Sequence, residues 1–274
     1  MILTNEHGVP EAFVRAIQND PYTKDGADFS VTELIKPPQV RRLWNEHESE
    51  ISVDVSDEMF KLLGKGVHNV LEHHGPDGST TEQRFHADHN GVSVSGAVDL
   101  IEADGSITDY KVTSTGSVMR GLKVDWERQL NLYGWLLRQN GITATKLTIV
   151  AICRDWTKTK IKNKNYPRCM VVVIGVPLWR EGRQDDYLDQ RIRAHTQEAT
   201  LPCTVEERWA RGAYQVNGKG RPRSFDTMRE ATEHINLQKS GNFKIVPGKA
   251  KFIRCEGWCD VSHWCPQWNG GGGG

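Results

Sequence analysis

The apolar positions of this chain follow two periods, and the switches between them mark out its elements. Met59, Leu63, Val67, Val70 and Leu71 recur at helical spacing behind Ser56, a hydroxyl suited to an N-cap, with Asp57 and Glu58 in the first turn. A helix is therefore predicted from Ser56 to the glycines at 75 and 78. The period then becomes two. Residues 82–88 and 92–101 flank Asn90-Gly91, a dipeptide that favours a two-residue hairpin turn, and Asp104-Gly105 gives a second tight turn into residues 106–113. A three-stranded antiparallel meander follows from this.

Helical spacing returns over 124–139, where Trp126, Leu130, Tyr133 and Leu137 share a face and Asn140-Gly141 ends the run. Residues 147–154 and 169–176 read as two further strands, and 180–197 as a polar surface helix. Helix, three strands, helix and strand in that order predict an α/β (α+β) fold: a mixed central β-sheet flanked by helices. The composition changes at Leu201-Pro202-Cys203. Beyond it, 213–225 reads as a hairpin around Asn217-Gly218-Lys219-Gly220, Asp226 or Thr227 caps a short helix through Ile235, and 244–253 leads into clustered cysteines. The expected organisation is an N-terminal helical segment (1–55), a core (56–200), a cysteine-rich segment packed on it (201–268) and a flexible glycine tail (269–274).

Composition narrows the function classes. The 274 residues carry 35 Lys+Arg and 35 Asp+Glu, so binding of a polyanion by net charge alone is excluded and any such contact must come from local clusters. Such clusters exist. Residues 1–60 hold twelve acidic and five basic side chains, whereas 154–168 carries Arg154, Lys158, Lys160, Lys162, Lys164 and Arg168 against Asp155 alone, and 208–223 carries five basic residues, Arg221 and Arg223 among them, and no acid. Two readings stand for these runs: contacts to a phosphate backbone, or a solvated loop and edge strand protected by lysines. No apolar stretch is long enough to span a membrane and the first ten residues lack a signal-peptide layout, so a cytoplasmic protein is expected, with no membrane partner. Reduced thiols in that compartment favour metal or cluster ligation over disulfides.

The residues with the most chemical content lie on the meander. Asp109 and Lys111, two apart on a strand, emerge on one face, and the hairpin brings Asp99 onto the adjacent strand beside Asp109. Paired carboxylates make a hard oxygen site suited to Mg2+ or Mn2+, and a neighbouring lysine can orient a water. A bare D-x-K is short and common, and taken alone it describes an exposed cross-strand pair equally well. Company changes this. Gln129 and Tyr133 share a face of the next helix, and His68 lies beside the apolar stripe of the preceding one.

Gly64-Lys65-Gly66-Val67-His68, Gly96-Ala97-Val98-Asp99, Asp109-Tyr110-Lys111 and Gln129-Leu130-Asn131-Leu132-Tyr133, in this order over about residues 56–175, resemble the PD-(D/E)xK nuclease superfamily, in its RecB-like branch with the Cas4-like and phage exonucleases. Val98 stands where the motif's name has proline. The resemblance implies a restriction-endonuclease-like core. It implies that His68, Asp99, Asp109 and the Tyr110 carbonyl bind Mg2+ or Mn2+, that Lys111 activates the attacking water, and that Gln129 and Tyr133 position Lys111 or the DNA strand. The expected activity is that of a metal-dependent DNA exonuclease acting on ends or single strands in recombination, repair or phage DNA processing, with a helicase or recombination protein as a possible partner. A nicking or structure-specific endonuclease of the same fold, and a non-catalytic nucleic-acid-binding module, are the alternatives.

Cys255, Cys259 and Cys265 lie within eleven residues, and Cys203 is the natural fourth ligand, whereas Cys153 and Cys169 sit in apolar strand patterns and read as core. Similar nucleases pin their C-terminal segment with a four-cysteine [4Fe-4S] cluster. Here no cysteine precedes the core and the first pair is spaced C-x3-C; with His263 nearby, Zn2+ remains the alternative. Trp258, Trp264 and Trp268 flank these cysteines, either as stacking platforms for unpaired bases or as packing around a small metal core.

Overall fold

The alternating segments assemble into a six-stranded mixed sheet in the computed structural model, which describes residues 1–19, 23–199, 201–218, 220–238 and 241–270. Its strands are β1 (Phe29–Ser30), β2 (Thr80–His89), β3 (Val92–Ile101), β4 (Ser106–Thr113), β5 (Lys146–Cys153) and β6 (Val171–Val176). They lie in the order β1-β3-β4-β5-β6, with β2 also paired to β3. The meander forms as expected: β2 and β3 are antiparallel from Thr80↔Ile101 to His89↔Val92, and β3 meets β4 antiparallel. Asn90 and Gly91 both take positive φ, 55° and 80°, as the favoured hairpin turn requires. Two parallel pairings, β1 with β3 and β4 with β5, make the sheet mixed.

The three longest helices among the described residues are α1 (Met59–Glu72), α2 (Val124–Gln139) and α3 (Glu181–Thr196). Every residue of α2 from Gln129 to Leu137 is buried, not one face alone, because this helix packs on the sheet and against α3. Leu130, Leu132, Leu136 and Leu137 are wholly inaccessible, and each such leucine contributes about 1.5–3 kcal/mol by leaving water. The polar helix α3 is partly buried too, through Gln184, Leu188, Ile192 and Ala194.

Helix α1 departs from expectation. It starts at Met59 rather than Ser56, because the Ser56 backbone N–H donates to the Asp54 carboxylate at 2.9 Å and residues 55–58 form a turn. Its apolar stripe does not enter the core; Leu63 and Val70 are exposed. The helix instead turns Lys61, Lys65, His68 and Glu72 toward a cleft. Cys169 is likewise exposed, since β6 begins two residues later, whereas Cys153 is buried on β5 as predicted.

Spatially the chain divides into two units, residues 3–35 with 52–196, which hold the sheet, and residues 1–2 with 36–51 and 197–274. In the second unit a helix at Pro38–His47 accompanies a three-stranded antiparallel sheet. There β7 (Tyr214–Asn217) lies between β8 (Arg223–Phe225) and β9 (Lys244–Pro247). The predicted hairpin is thus present, although Lys219 in its turn lies outside the described residues, as do glycines 271–274. Thr227 caps helix α4 (Met228–Asn236) in a reciprocal capping box with Glu230. Among the described residues no helix is long and apolar enough to cross a membrane.

Candidate active site

Strands β3 and β4 pair only at Leu100↔Thr108 and Ile101↔Ile107. The next positions outward are Asp99 and Asp109, where the ladder stops. Asp99 Oδ2 accepts the Tyr110 backbone N–H at 2.7 Å, so a carboxylate occupies the place of a ladder carbonyl at the mouth of the crevice. Asp109 is 1% exposed and lies behind Lys111, whose Nζ is 2.9 Å from Oδ1 and 2.6 Å from Oδ2. That second contact is poorly directed, and Oδ2 is a buried oxygen without a well-formed hydrogen bond. Such an atom normally finds a partner, and a cation meets the need.

His68 enters from α1. Its Nδ1 lies 3.0 Å from Glu82 Oε1 and 3.6 Å from Asp99 Oδ2, and its Nε2 lies 3.0 Å from the Tyr110 carbonyl oxygen. With both ring nitrogens facing oxygens, the imidazolium donates on both sides; the Glu82 hydrogen bond, helped by Asp99 and opposed by burial, raises its pKa to about 9. Burial, followed by the neighbouring Asp109 charge, pushes Asp99 up to about 7. A carboxyl poised near neutrality beside a second one is a common feature of catalytic and cation sites.

Gln129 and Tyr133 are buried on α2 and bonded to each other, Gln129 Nε2 donating to Tyr133 Oη at 2.9 Å. Gly96 allows this approach: a Cβ there would lie 2.8 Å from Tyr133 and 2.9 Å from Leu136. His68, Asp99, Lys111, Gln129 and Tyr133 all line one cleft of about 830 Å3. The sequence-predicted set is thus brought together, with Asp109 and the Tyr110 carbonyl adjoining it. Lys158, Lys160, Lys162 and Lys164 are exposed and do not line the cleft; Arg221 and Arg223 are exposed on the other unit.

Sequence reasoning did not single out Lys61, Lys65, Glu82 or Arg84, which also line the cleft. Lys61, Lys65 and Arg84 supply positive charge along its wall. Glu82 joins His68 and Asp99 in the one group of three metal-capable side chains, among the described residues, whose ligand atoms lie within 4.8 Å of one another. Glu82 has φ +46° inside a strand, a conformation costing a non-glycine residue about 1–2 kcal/mol. The hairpin register carried its signal: a two-residue turn pairing His89 with Val92 sets Glu82 opposite Asp99.

In the second unit Cys203, Cys255, Cys259 and Cys265 line one small cavity of about 20 Å3. Buried Gln39 donates to Cys265 Sγ from Nε2, and Arg208 donates to Cys255 Sγ from Nε, each at 3.4 Å. Burial pushes the Cys203 thiol up to about 12 and raises Cys259 as well. His263 is exposed and does not line this cavity. Trp264 stacks on His47 at 4.6 Å and Trp268 lines the cavity, whereas Trp258 is exposed near Trp209.

The sequence model of the PD-(D/E)XK nuclease superfamily matches residues 32–266. The chain therefore belongs to that superfamily, whose members are nucleases that generally depend on divalent metal ions, and its mixed sheet flanked by helices is consistent with a restriction-endonuclease-like fold. Among solved structures it is similar to SSO0001, with 19% identity, coverage of 69% of this chain and 85% of that one, and a TM-score of 0.44. A search of curated proteins gave no match.

Proposed function

We propose that this nuclease is a Mg2+- or Mn2+-dependent deoxyribonuclease of the RecB-like, Cas4-like branch, degrading DNA from ends or as single strands in recombination, repair or phage DNA processing. The convergence of His68, Asp99, Asp109 and Lys111 where β3 and β4 part carries this reading. His68, Asp99, Asp109 and the Tyr110 carbonyl would hold the ion, which would neutralise the scissile phosphate and lower the pKa of a water. Lys111 now neutralises Asp109; released from that task, its ammonium orients the attacking water and offsets charge developing on the phosphate. Gln129 and Tyr133, bonded to each other on α2 and lining the same cleft, would position Lys111 or the DNA strand. Lys61, Lys65 and Arg84 suit the flanking phosphates, and the basic run at 158–164 a more distant stretch of backbone.

The four cysteines of the second unit fit a metal centre, their sulfurs facing one cavity and receiving N–H donors from Gln39 and Arg208. A four-cysteine set of this kind suits a [4Fe-4S] cluster, with tetrahedral Zn2+ as the alternative.

The test is incubation of the protein with Mn2+ and linear or circular DNA, single- and double-stranded. Loss of linear DNA with circles intact is expected, and Asp109→Ala or Lys111→Ala should each lower the rate by roughly 100-fold or more. Undiminished cleavage by both variants would refute the site; cutting of circles would replace the exonuclease with a nicking or structure-specific endonuclease.

A further inference from the structure

Glu82 is held in an unusual way. It lies within β2, between the paired positions Thr81↔Leu100 and Gln83↔Val98, yet its φ of +46° breaks the extended conformation at the one register position opposite Asp99. Nothing in strand pairing asks for this, and a glutamate gains nothing intrinsically from the left-handed region. Backbone outliers of this kind persist where the surroundings impose them, and here the consequence is visible: the Glu82 carboxylate reaches His68 Nδ1 at 3.0 Å.

The other side of the same ring matters equally. His68 Nε2 faces the Tyr110 carbonyl oxygen at 3.0 Å. Two ligands bound at right angles to one ion through bonds of 2.0–2.1 Å are also about 3.0 Å apart. A ligating histidine commonly gives its second N–H to a carboxylate, which selects the tautomer and fixes the ring plane.

Building on the metal centre of the preceding reading, we propose that Glu82 is its positioning residue: by accepting the Nδ1–H of His68 it directs the Nε2 lone pair to the ion shared with the Tyr110 carbonyl. An ordinary cross-strand acid would form a similar ion pair, but without the left-handed kink and without standing opposite Asp99. Glu82 thus acts through His68 and is not itself a ligand.

The test measures Mn2+ affinity of the full chain by calorimetry, without DNA, for the wild type, Glu82→Gln, Glu82→Asp and His68→Ala. Glu82→Gln should weaken binding by about 10–100-fold, the usual effect of removing such a partner, and Glu82→Asp should recover most of it. Because Glu82→Gln could disturb β2, nitrogen-15 NMR of His68 in the Mg2+-loaded wild type gives a second readout, with a protonated Nδ1 and a ligating Nε2 expected. The opposite tautomer, or wild-type affinity in folded Glu82→Gln alongside a loss in His68→Ala, overturns the role of Glu82 alone. Unchanged affinity in His68→Ala removes the metal-centre reading beneath it, and retention there with loss in Glu82→Gln makes Glu82 a direct ligand, which also overturns the proposal.

Discussion

Metal binding at this site should release protons from His68 and Asp99. His68, raised to about 9 chiefly by its bond to Glu82, is almost fully protonated at pH 7; Asp99, raised to about 7 chiefly by burial, is half protonated. Both must be stripped for ligation, so one ion should displace about 1.5 protons at pH 7, about 1.9 at pH 6 and about 1.0 at pH 8. Integrated over that range, the apparent affinity for Mg2+ or Mn2+ rises by roughly a thousandfold from pH 6 to pH 8. Stability without metal runs the other way. Asp99 has a folded value above 3.8, so its contribution is complete below that pH and is lost as pH rises through about 7; that of His68 is complete below 6.5 and lost through about 9. Calorimetry in buffers of different ionisation enthalpy counts the protons, and thermal melts with and without Mg2+ follow the two slopes. Release near zero at pH 7, or an affinity independent of pH, would refute the assignment of His68 and Asp99 as ligands.

Much of this centre was legible because strands and tight turns obey strict periods. The Asn90-Gly91 and Asp104-Gly105 turns set Asp99 beside Asp109, and the two-residue repeat put Lys111 on the face of Asp109, as the 2.6 Å contact bears out. The same arithmetic, carried further, would have reached Glu82, since a turn pairing His89 with Val92 puts Glu82 opposite Asp99; its left-handed kink, a response to tertiary surroundings, was not encoded in any period. The apolar stripe of α1 misled because helical spacing reports a face without saying what covers it: Leu63 and Val70 stay exposed while the polar face borders the cleft. Gln39, 226 residues from its partner Cys265, is the hardest case, for no local pattern joins a glutamine on one helix to a thiol near the other end of the chain.

The remaining predictions concern the two frameworks that hold these centres. Cys203→Ser should lower bound iron or zinc and the absorption near 400 nm (an approximate position for iron-sulfur charge transfer), while full metal content would remove Cys203 from the ligand set. Gly96→Ala should be costly for its size. The added methyl would stand 2.8 Å from Tyr133 Cε1, 2.9 Å from Leu136 Cδ1 and 3.1 Å from Val31 Cγ2, all belonging to buried side chains. Overpacking of this kind costs about 1–3 kcal/mol. At about 2–4 °C per kcal/mol for a unit of this size, the melting temperature should fall by several degrees. Tyr133 is the neighbour on the cleft wall, bonded to Gln129, so relief of the clash by moving its ring would also disturb that pair. Nuclease activity measured well below the melting point should therefore drop as well. A melting temperature unchanged within about 1 °C would show that α2 can retreat from β3 without loss, and would refute the argument that Gly96 sets their spacing.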